Sequence, residues 1–131
     1  MRRTIYNTAK AVLSLAPAVR TTSANGTAVD LGPARSALLV VVAGTVTDGT
    51  HTVSLEESAN GSTGWAAVAD ADLQGTEPAV TSSTDERLYE VGYVGSKRYV
   101  RPVVTVTGTP ATGGSIACVV QAAYDEQPVA R

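Results

Sequence analysis

Short runs of apolar or alternating residues, separated by small polar turns, occupy residues 36–124. Residues 38–42 are apolar at every position, which predicts a central strand buried on both faces, by the opposite sheet on one side and by a loop or partner on the other. In residues 51–57 apolar and polar positions alternate, so Val53 and Leu55 share one face of a strand. The other predicted strands are residues 27–31, 65–68, 87–94, 98–107 and 115–124.

Turn residues separate these strands and indicate the fold class. Asp48-Gly49 and Asn60-Gly61 are good turn sequences because glycine tolerates a positive φ. About seven or eight short strands at this spacing predict an all-β fold, an antiparallel β-sandwich or jelly-roll-like single domain. Pro102 cannot donate a hydrogen bond within a sheet, so its strand is predicted to lie at an edge or to contain a bulge.

The chain divides into three regions, and its 131 residues are enough for one domain with a real core. Residues 1–25 are predicted to form an N-terminal arm, or a first strand followed by a connector. Residues 26–125 are the β-sandwich domain, and residues 126–131 are a polar tail. An arm would order on docking, so deletion of residues 1–20 is predicted to weaken partner binding and to leave the sandwich folded.

The composition is that of a folded protein with little electrostatic attraction for nucleic acid. Hydrophobic residues make up 44% of the chain and the net charge is −2, whereas nucleic-acid binding depends on many Lys and Arg contacts with phosphate. No stretch approaches the ~20 apolar residues that span a bilayer. Cys118, the only cysteine, lies in an apolar run and is predicted to be a buried small hydrophobic residue. Neither nucleic acid, membrane nor a cofactor is predicted as a partner.

His51, the only histidine, offers one route to catalysis, because Asp48 is close in sequence and serines are plentiful. A serine hydrolase of the common α/β type would also carry a Gly-x-Ser-x-Gly turn, and the chain has none. His51 is therefore predicted to be a hydrogen-bonded surface histidine at the start of a strand.

Acidic residues are the remaining candidates for chemistry. Asp70 and Asp72 suggest a calcium loop, but Leu73 stands where a further oxygen ligand would be needed. The adjacent carboxylates of Glu56-Glu57 and of Asp85-Glu86 face opposite sides of a sheet, so neither pair can act on one substrate. These residues are predicted to be solvated, no metal site is predicted, and the protein is not predicted to be an enzyme.

Aromatic and basic residues are the candidates for binding a partner. Trp65 and the tyrosines would form a platform for sugar rings if exposed, but aromatic residues are scarce and most are predicted to lie in the core. Lys97, Tyr99 and Arg101 share one face of a predicted strand, where they form either an ordinary solvated face or an anchor onto an acidic protein surface. The candidate partner contacts are Arg2, Arg3, Tyr6, Lys97, Tyr99 and Arg101.

An ordered set of short segments resembles a group of small virion structural proteins of tailed bacteriophages. The set extends from about Ser14 to Tyr124, and its specificity lies in the order of the segments because none is a catalytic signature. The segments are Ser14-Leu-Ala-Pro-Ala-Val-Arg20, Ser23-Ala-Asn-Gly-Thr27, Val29-Asp-Leu31, Asp48-Gly-Thr-His-Thr52, Leu55-Glu-Glu-Ser58, Ala69-Asp-Ala-Asp-Leu-Gln-Gly75 and Tyr93-Val-Gly-Ser-Lys-Arg-Tyr-Val-Arg101.

The resemblance implies a head-decoration (cement) or minor capsid protein with a β-sandwich fold. Such proteins lie on the outside of the head, commonly as oligomers at symmetry axes, and hold capsomers together. The implied partners are the major capsid protein and further copies of the chain, as a dimer or trimer. The implied location is the capsid surface of the virion, after synthesis in the bacterial cytoplasm. A tail or head–tail connector component and a glycan-binding β-sandwich module are the alternatives.

Overall fold

Two antiparallel sheets pack face to face in the computed structural model, which describes residues 4–125. The predicted all-β sandwich is thereby confirmed. Eleven strands lie in this part of the chain: β1 (Ala9–Arg20), β2 (Ala24–Asn25), β3 (Val29–Asp30), β4 (Ser36–Val46), β5 (Thr50–Ser58), β6 (Ala66–Ala67), β7 (Leu73–Gln74), β8 (Ala79–Val80), β9 (Leu88–Tyr93), β10 (Tyr99–Thr107) and β11 (Gly114–Ala123). A single 3₁₀ turn, Asp70–Asp72, precedes β7.

The strands form two sheets of different composition. Sheet A has the order β1-β11-β4-β9-β7, so the chain's first and last long strands are neighbours. Sheet B has the order β2-β10-β5-β6, with β3 also paired to β10 and β8 to β5. Ala9 of β1 pairs with Ala123 of β11, which brings the two ends of the described chain together at one end of the sandwich.

The core lies between the sheets and consists mainly of aliphatic side chains. Alternation along the strands sends Leu39 and Val41 of β4 inward against Val53 and Leu55 of β5, all at most 1% exposed. Cys118 on β11 is also fully buried, as predicted. Its burial raises the pKa of the thiol to about 12, so the group is a neutral member of the core at physiological pH.

Of the two alternatives for the N-terminal region, residues 9–20 adopt the strand. β1 pairs along its length with β11 and places Leu15, 6% exposed, in the core. Ser14 is buried beside it, and its hydroxyl donates to the carbonyl of Thr27 at 2.7 Å, linking sheet A to the segment before β3. Deletion of residues 1–20 would remove this strand and uncover β11. We therefore expect such a deletion to disturb the sandwich as well as partner binding.

The pairing of β1 with β11 contains two register shifts, and the side chain of Arg20 binds carbonyl groups near them. The register against β11 shifts between Leu13 and Leu15 and again between Leu15 and Ala18. The guanidinium of Arg20 donates to the carbonyl oxygens of Ala16 at 2.8 Å, Ala18 at 3.1 Å and Ile116 at 2.7 Å. Charged donors of this kind make strong hydrogen bonds, so the second half of β1 is fixed to sheet A despite Pro17.

Pro102 lies on β10, which has β5 on one side and an interrupted neighbour on the other. β2 pairs with Val103 and Val104, β3 pairs with Tyr99 and Val100, and Pro102 falls in the gap between them. Gly26 crosses this gap and donates its N–H to the carbonyl of Pro102 at 2.7 Å. A Cβ at Gly26 would stand 2.6 Å from Pro102 Cγ, so only glycine permits this approach.

His51 is not at the surface, contrary to the expectation from its position beside a turn. It lies on the same face of β5 as Val53 and Leu55 and is fully buried. Its Nε2 lies 3.4 Å from the carbonyl oxygen of Asp48, and its Nδ1 has no hydrogen-bond partner. The period of two along β5 was the available signal, because it places His51 in register with the core residues.

Candidate partner-binding surfaces

The two outer faces of the sandwich have different chemistry. The outer face of sheet A, which we call the apolar face, contains one charged residue, Glu90. By register its members are Ala11, Leu13, Leu38, Val40, Val42, Gln74, Leu88, Glu90, Gly92, Ala117, Val119 and Gln121. Leu13 is 57% exposed, Leu88 is 58% exposed and Val42 is 43% exposed. Large apolar side chains so exposed, and so grouped, are typical of surfaces that contact protein.

The central strand β4 crosses this face, and the predicted cover for its second side was a loop or a partner. Val41 is fully buried toward sheet B, whereas the neighbouring Val42 is exposed on the apolar face. Residues 4–125 supply no element that covers this side of the sheet. The fully apolar run 38–42 therefore has one face in the core and the other open in the described part of the chain.

The outer face of sheet B is polar and carries paired charges. Arg101 on β10 lies directly across from Glu56 on β5, and its guanidinium donates to the carboxylate at 2.7 and 2.8 Å. The same guanidinium lies 4.4 Å from the ring centroid of Trp65 in a cation–π contact. Trp65 is thus half-buried under Arg101. The guanidinium covers one face of the Trp65 ring, and Glu56 neutralises the charge of Arg101.

The predicted basic cluster is mostly neutralised by its own neighbours. Arg98 donates two hydrogen bonds to Asp30, at 2.8 and 2.9 Å, and this contact lowers the pKa of Asp30. Tyr99 is half-buried, with its ring against Gly61 and beside the guanidinium of Arg98. The expectation that Lys97 shares a strand face with Tyr99 and Arg101 is wrong, because Lys97 lies in the loop before β10. Lys97 is exposed, and its ammonium has no ion pair within residues 4–125.

A cleft of about 260 Å³ opens beside Lys97 at the end of the sandwich where β9 ends and β4 begins. We call this region the cleft end. Arg35, Lys97 and Arg98 line the cleft, and Arg35 is paired with Asp125 at 2.9 Å on an exposed surface. Tyr93 forms part of the wall. Exposed ion pairs of this kind contribute little to stability, so Arg35 can exchange Asp125 for an anionic partner. Lys97 needs no such exchange, because its ammonium has no ion pair within residues 4–125.

Tyr93 connects the cleft to the core through its hydroxyl group. The hydroxyl donates to Glu57 at 2.6 Å and accepts from the backbone N–H of Lys97 at 3.0 Å. Glu57 thus points away from its neighbour Glu56, which binds Arg101 on the outer face, as the strand geometry predicted. Burial, together with the hydrogen bond to Glu57, raises the pKa of Tyr93 to about 12.

The N-terminal candidates lie near the same end or outside the described residues. Arg2 and Arg3 fall outside residues 4–125. Tyr6 is 65% exposed in a turn closed by the N–H groups of Thr8 and Ala9 on the carbonyl of Ile5. Thr8 in turn accepts from the N–H of Tyr124, which fixes this turn beside the end of β11.

The structure brings together some predicted contacts and adds others. Tyr99 and Arg101 share the outer face of sheet B, while Lys97 joins the cleft end. Arg35 and Asp30 were not predicted, because their proximity to the loop 94–98 depends on pairings distant in sequence. The apolar face was also missed, although Leu88 and Val42 lie on two predicted strands, 87–94 and 38–42.

The structure and comparisons with known proteins assign no further site. Within residues 4–125, no three His, Cys, Asp or Glu side chains are grouped so that they could hold a metal ion. In the same residues no helix has the length and apolarity needed to cross a membrane. Comparison with protein-family models, with curated proteins and with solved structures gave no match.

Proposed function

We propose that the protein is a non-enzymatic structural component of a virion that binds the outer surface of a tailed-phage capsid and stabilises it. The sequence resemblance from about Ser14 to Tyr124 supports this function. Its partners in this role are the major capsid protein and further copies of the same chain. The protein would be made in the bacterial cytoplasm and function on the capsid surface.

The observation that carries the proposal is that one sandwich has two exposed surfaces of unlike chemistry, one apolar and one lined by cations. The apolar face and the cleft end differ in chemistry and adjoin each other, since Ser36, Ala37 and Tyr93 line both the cleft and a shallow groove on the apolar face. A protein that holds a shell together must contact at least two other chains, and surfaces of different chemistry suit different partners. A small core closed by cross-strand hydrogen bonds keeps the two surfaces in a constant relative position.

Stabilisation of the capsid follows from selective binding. A protein that binds the assembled shell more tightly than its separate subunits shifts the equilibrium toward assembly by mass action. Many copies act in parallel, so a weak contact at each site is sufficient. In this proposal the cleft end, with Lys97, Arg98 and Arg35, contacts an acidic surface of the capsid protein.

Co-sedimentation with undecorated heads of the phage that encodes the chain tests the function. The expected result is saturable binding at a stoichiometry that fits the icosahedral lattice. Protein that stays in the supernatant at all concentrations would overturn the capsid proposal. In that case the same assay with purified tails would test the tail or connector alternative.

Charge reversal at the cleft tests where the capsid binds. Lys97→Glu is expected to weaken head binding by about tenfold or more, because it puts a like charge against an acidic partner. Arg87→Glu is the matched control: it makes the same charge change on an exposed residue at the opposite end of β9. Equal affinity of the two variants would exclude the cleft as the contact.

A glycan-binding module is less well supported by the geometry. A sugar platform needs an open aromatic ring, whereas the guanidinium of Arg101 covers Trp65 and is held there by Glu56. Arg101→Ala would uncover the Trp65 ring. Sugar binding that appears only in this variant would show that Arg101 blocks the ring in the wild-type protein. Sugar binding by the wild-type protein, lost in Trp65→Ala, would favour the glycan module instead.

A further inference from the structure

We propose that the apolar face of sheet A is a self-association surface, on which a second copy of the chain packs its own sheet A about a two-fold axis. Two β-sandwiches would then stack through their A sheets, and each sheet B would face outward. The inference concerns the isolated protein and can succeed or fail independently of capsid binding.

The charge distribution selects the occupant. The centre of the apolar face, formed by β11 and β4, holds Val119, Val40 and Leu38 and has no charged residue. Glu90 lies on β9, one strand from the β7 edge, where its carboxylate can stay in water at the rim of an interface. Because the centre of the face carries no charge, it gives no electrostatic complement to an acidic or basic partner. Its best complement is another uncharged apolar surface, and a second copy provides one of equal size.

The size of the face is sufficient for a two-fold interface. Four strands, β1, β11, β4 and β9, lie about 4.8 Å apart and overlap for six to nine residues at about 3.3 Å each, which gives a footprint of roughly 19 Å by 20–30 Å, or about 400–600 Å². The two-residue strand β7 extends one end of it. Stable interfaces bury about 600–1,000 Å² of accessible surface on each partner. The footprint understates accessible area because side chains make the face uneven. Val94, 51% exposed at the end of β9, extends it further.

The apolar face has both a recess and projecting side chains, so its shape can complement the same face of a second copy. A shallow groove of about 300 Å³ lies over Gly92, which has no side chain, with Leu38 and Val94 on its sides. Leu13 and Leu88 project from the same face and are more than half exposed. In a two-fold interface each copy supplies both projections and recesses, so the leucines of one copy can fill the groove region of the other.

Sheet B does not offer an equivalent surface. Its outer face carries the Arg101–Glu56 ion pair and exposed polar residues such as Thr105. Desolvating such groups in a symmetric contact would cost more free energy than their mutual packing returns. The dimer is therefore expected to form through sheet A alone.

Sedimentation velocity over a range of protein concentrations tests the proposal. The wild-type protein is expected to form a dimer, and Val42→Glu is expected to raise the dissociation constant at least about a hundredfold, because the symmetry brings two unpaired carboxylates into one apolar interface. Thr105→Glu adds the same charge to the outer face of sheet B and should leave the dimer unchanged. A wild-type protein that is monomeric at every concentration would overturn the proposal, as would equal loss of dimer in both variants.

A second measurement avoids any doubt about folding of the glutamate variants. Val42 lies on the central strand β4, two residues from Val40, so a two-fold axis through the centre of the face would bring the Val42 positions of two copies within reach of each other. Val42→Cys labelled with a pyrene maleimide should therefore show excimer emission. The buried Cys118 stays unlabelled in the folded protein. Thr105→Cys, labelled in the same way, should show monomer emission only. Monomer emission from labelled Val42→Cys in a sample that is dimeric by sedimentation would place the interface elsewhere.

Discussion

At the scale of the residue, two buried polar side chains differ in how completely they are hydrogen-bonded. Tyr93 is 2% exposed and uses its hydroxyl both as donor, to Glu57, and as acceptor, from Lys97 N–H. His51 is fully buried with one unpartnered nitrogen. A satisfied buried hydroxyl stabilises a fold, whereas an unsatisfied nitrogen costs free energy. Tyr93 is thus the residue that joins the cleft loop to the core.

Because of the raised pKa of Tyr93, we expect the free energy of unfolding to fall at alkaline pH. The folded pKa of about 12 exceeds the ordinary value of 10.0, so the neutral phenol stabilises the fold fully below pH 10. That contribution is lost as the pH rises from 10 to 12, because the phenolate would be buried beside the carboxylate of Glu57. An ultraviolet titration should show one tyrosine ionising last. Tyr93→Phe should remove this step, while Tyr6→Phe should leave it. Retention of the step in Tyr93→Phe would contradict the assignment.

At the scale of the element, side-chain carboxylates complete strands whose neighbours are interrupted. β5 pairs with β8 at His51 and Thr52 and with β6 at Glu56 and Glu57, which leaves a gap at Leu55. Glu77 fills the gap by accepting the N–H of Leu55 at 2.8 Å. An open strand edge is a template for unwanted pairing, so this carboxylate both satisfies the backbone and closes the edge.

Removal of this acceptor predicts a measurable loss of stability. Glu77→Ala should lower the free energy of unfolding by about 1–3 kcal/mol, because it leaves the N–H of the buried Leu55 without a partner. Glu77→Gln keeps an oxygen acceptor and should cost clearly less. Urea unfolding of the three proteins measures the difference. Equal stability of the alanine and glutamine variants would show that the hydrogen bond contributes little.

The strands could be predicted from sequence because alternation along residues 51–57 and 98–107 has a period of two that matches the pleat. Two of the five two-residue strands, β3 and β6, lie within the predicted strands 27–31 and 65–68. β2, β7 and β8 were not predicted, since a segment such as β2 is a strand only because β10 lies beside it. The same dependence hid the ion pairs of the cleft end. Arg98 and Asp30 are 68 residues apart and meet only when β3 and β10 pair.

The open side of β4 marks another limit of sequence reasoning. An apolar residue at each of positions 38–42 predicts that both faces of the strand are covered, but a single chain does not show whether the cover belongs to the same molecule. Residues 4–125 cover one face, toward sheet B, with Val53 and Leu55. The exposure of Val42 is therefore the observation from which the self-association surface was inferred.

At the scale of the whole molecule, one core joins both sheets, and Cys118 lies inside it. Cys118 is on β11 between β1 and β4, fully buried against sheet B. A reagent can reach the sulfur only when the sheets separate or when β1 leaves the edge of sheet A. The thiol is thus a native probe of cooperative opening.

Thiol exchange at Cys118 predicts how the sandwich opens. Reaction with a disulfide reagent in native buffer should be at least about a thousandfold slower than at Thr105→Cys on the outer face, as expected for opening by global unfolding. The rate should also rise with urea in parallel with the unfolding equilibrium. A rate that does not depend on urea would instead indicate local detachment of β1.

The pairing of Ala9 with Ala123 has a practical consequence for handling this protein. Both ends of the described chain leave the sandwich beside Arg35 and Lys97, so a fluorescent protein or affinity tag joined close to residue 4 or residue 125 would stand next to the cleft. The loop between β10 and β11 lies at the far end of the molecule. Peptides inserted there would be displayed away from the cleft, and a circular permutant opened in that loop would carry its new termini to the opposite pole.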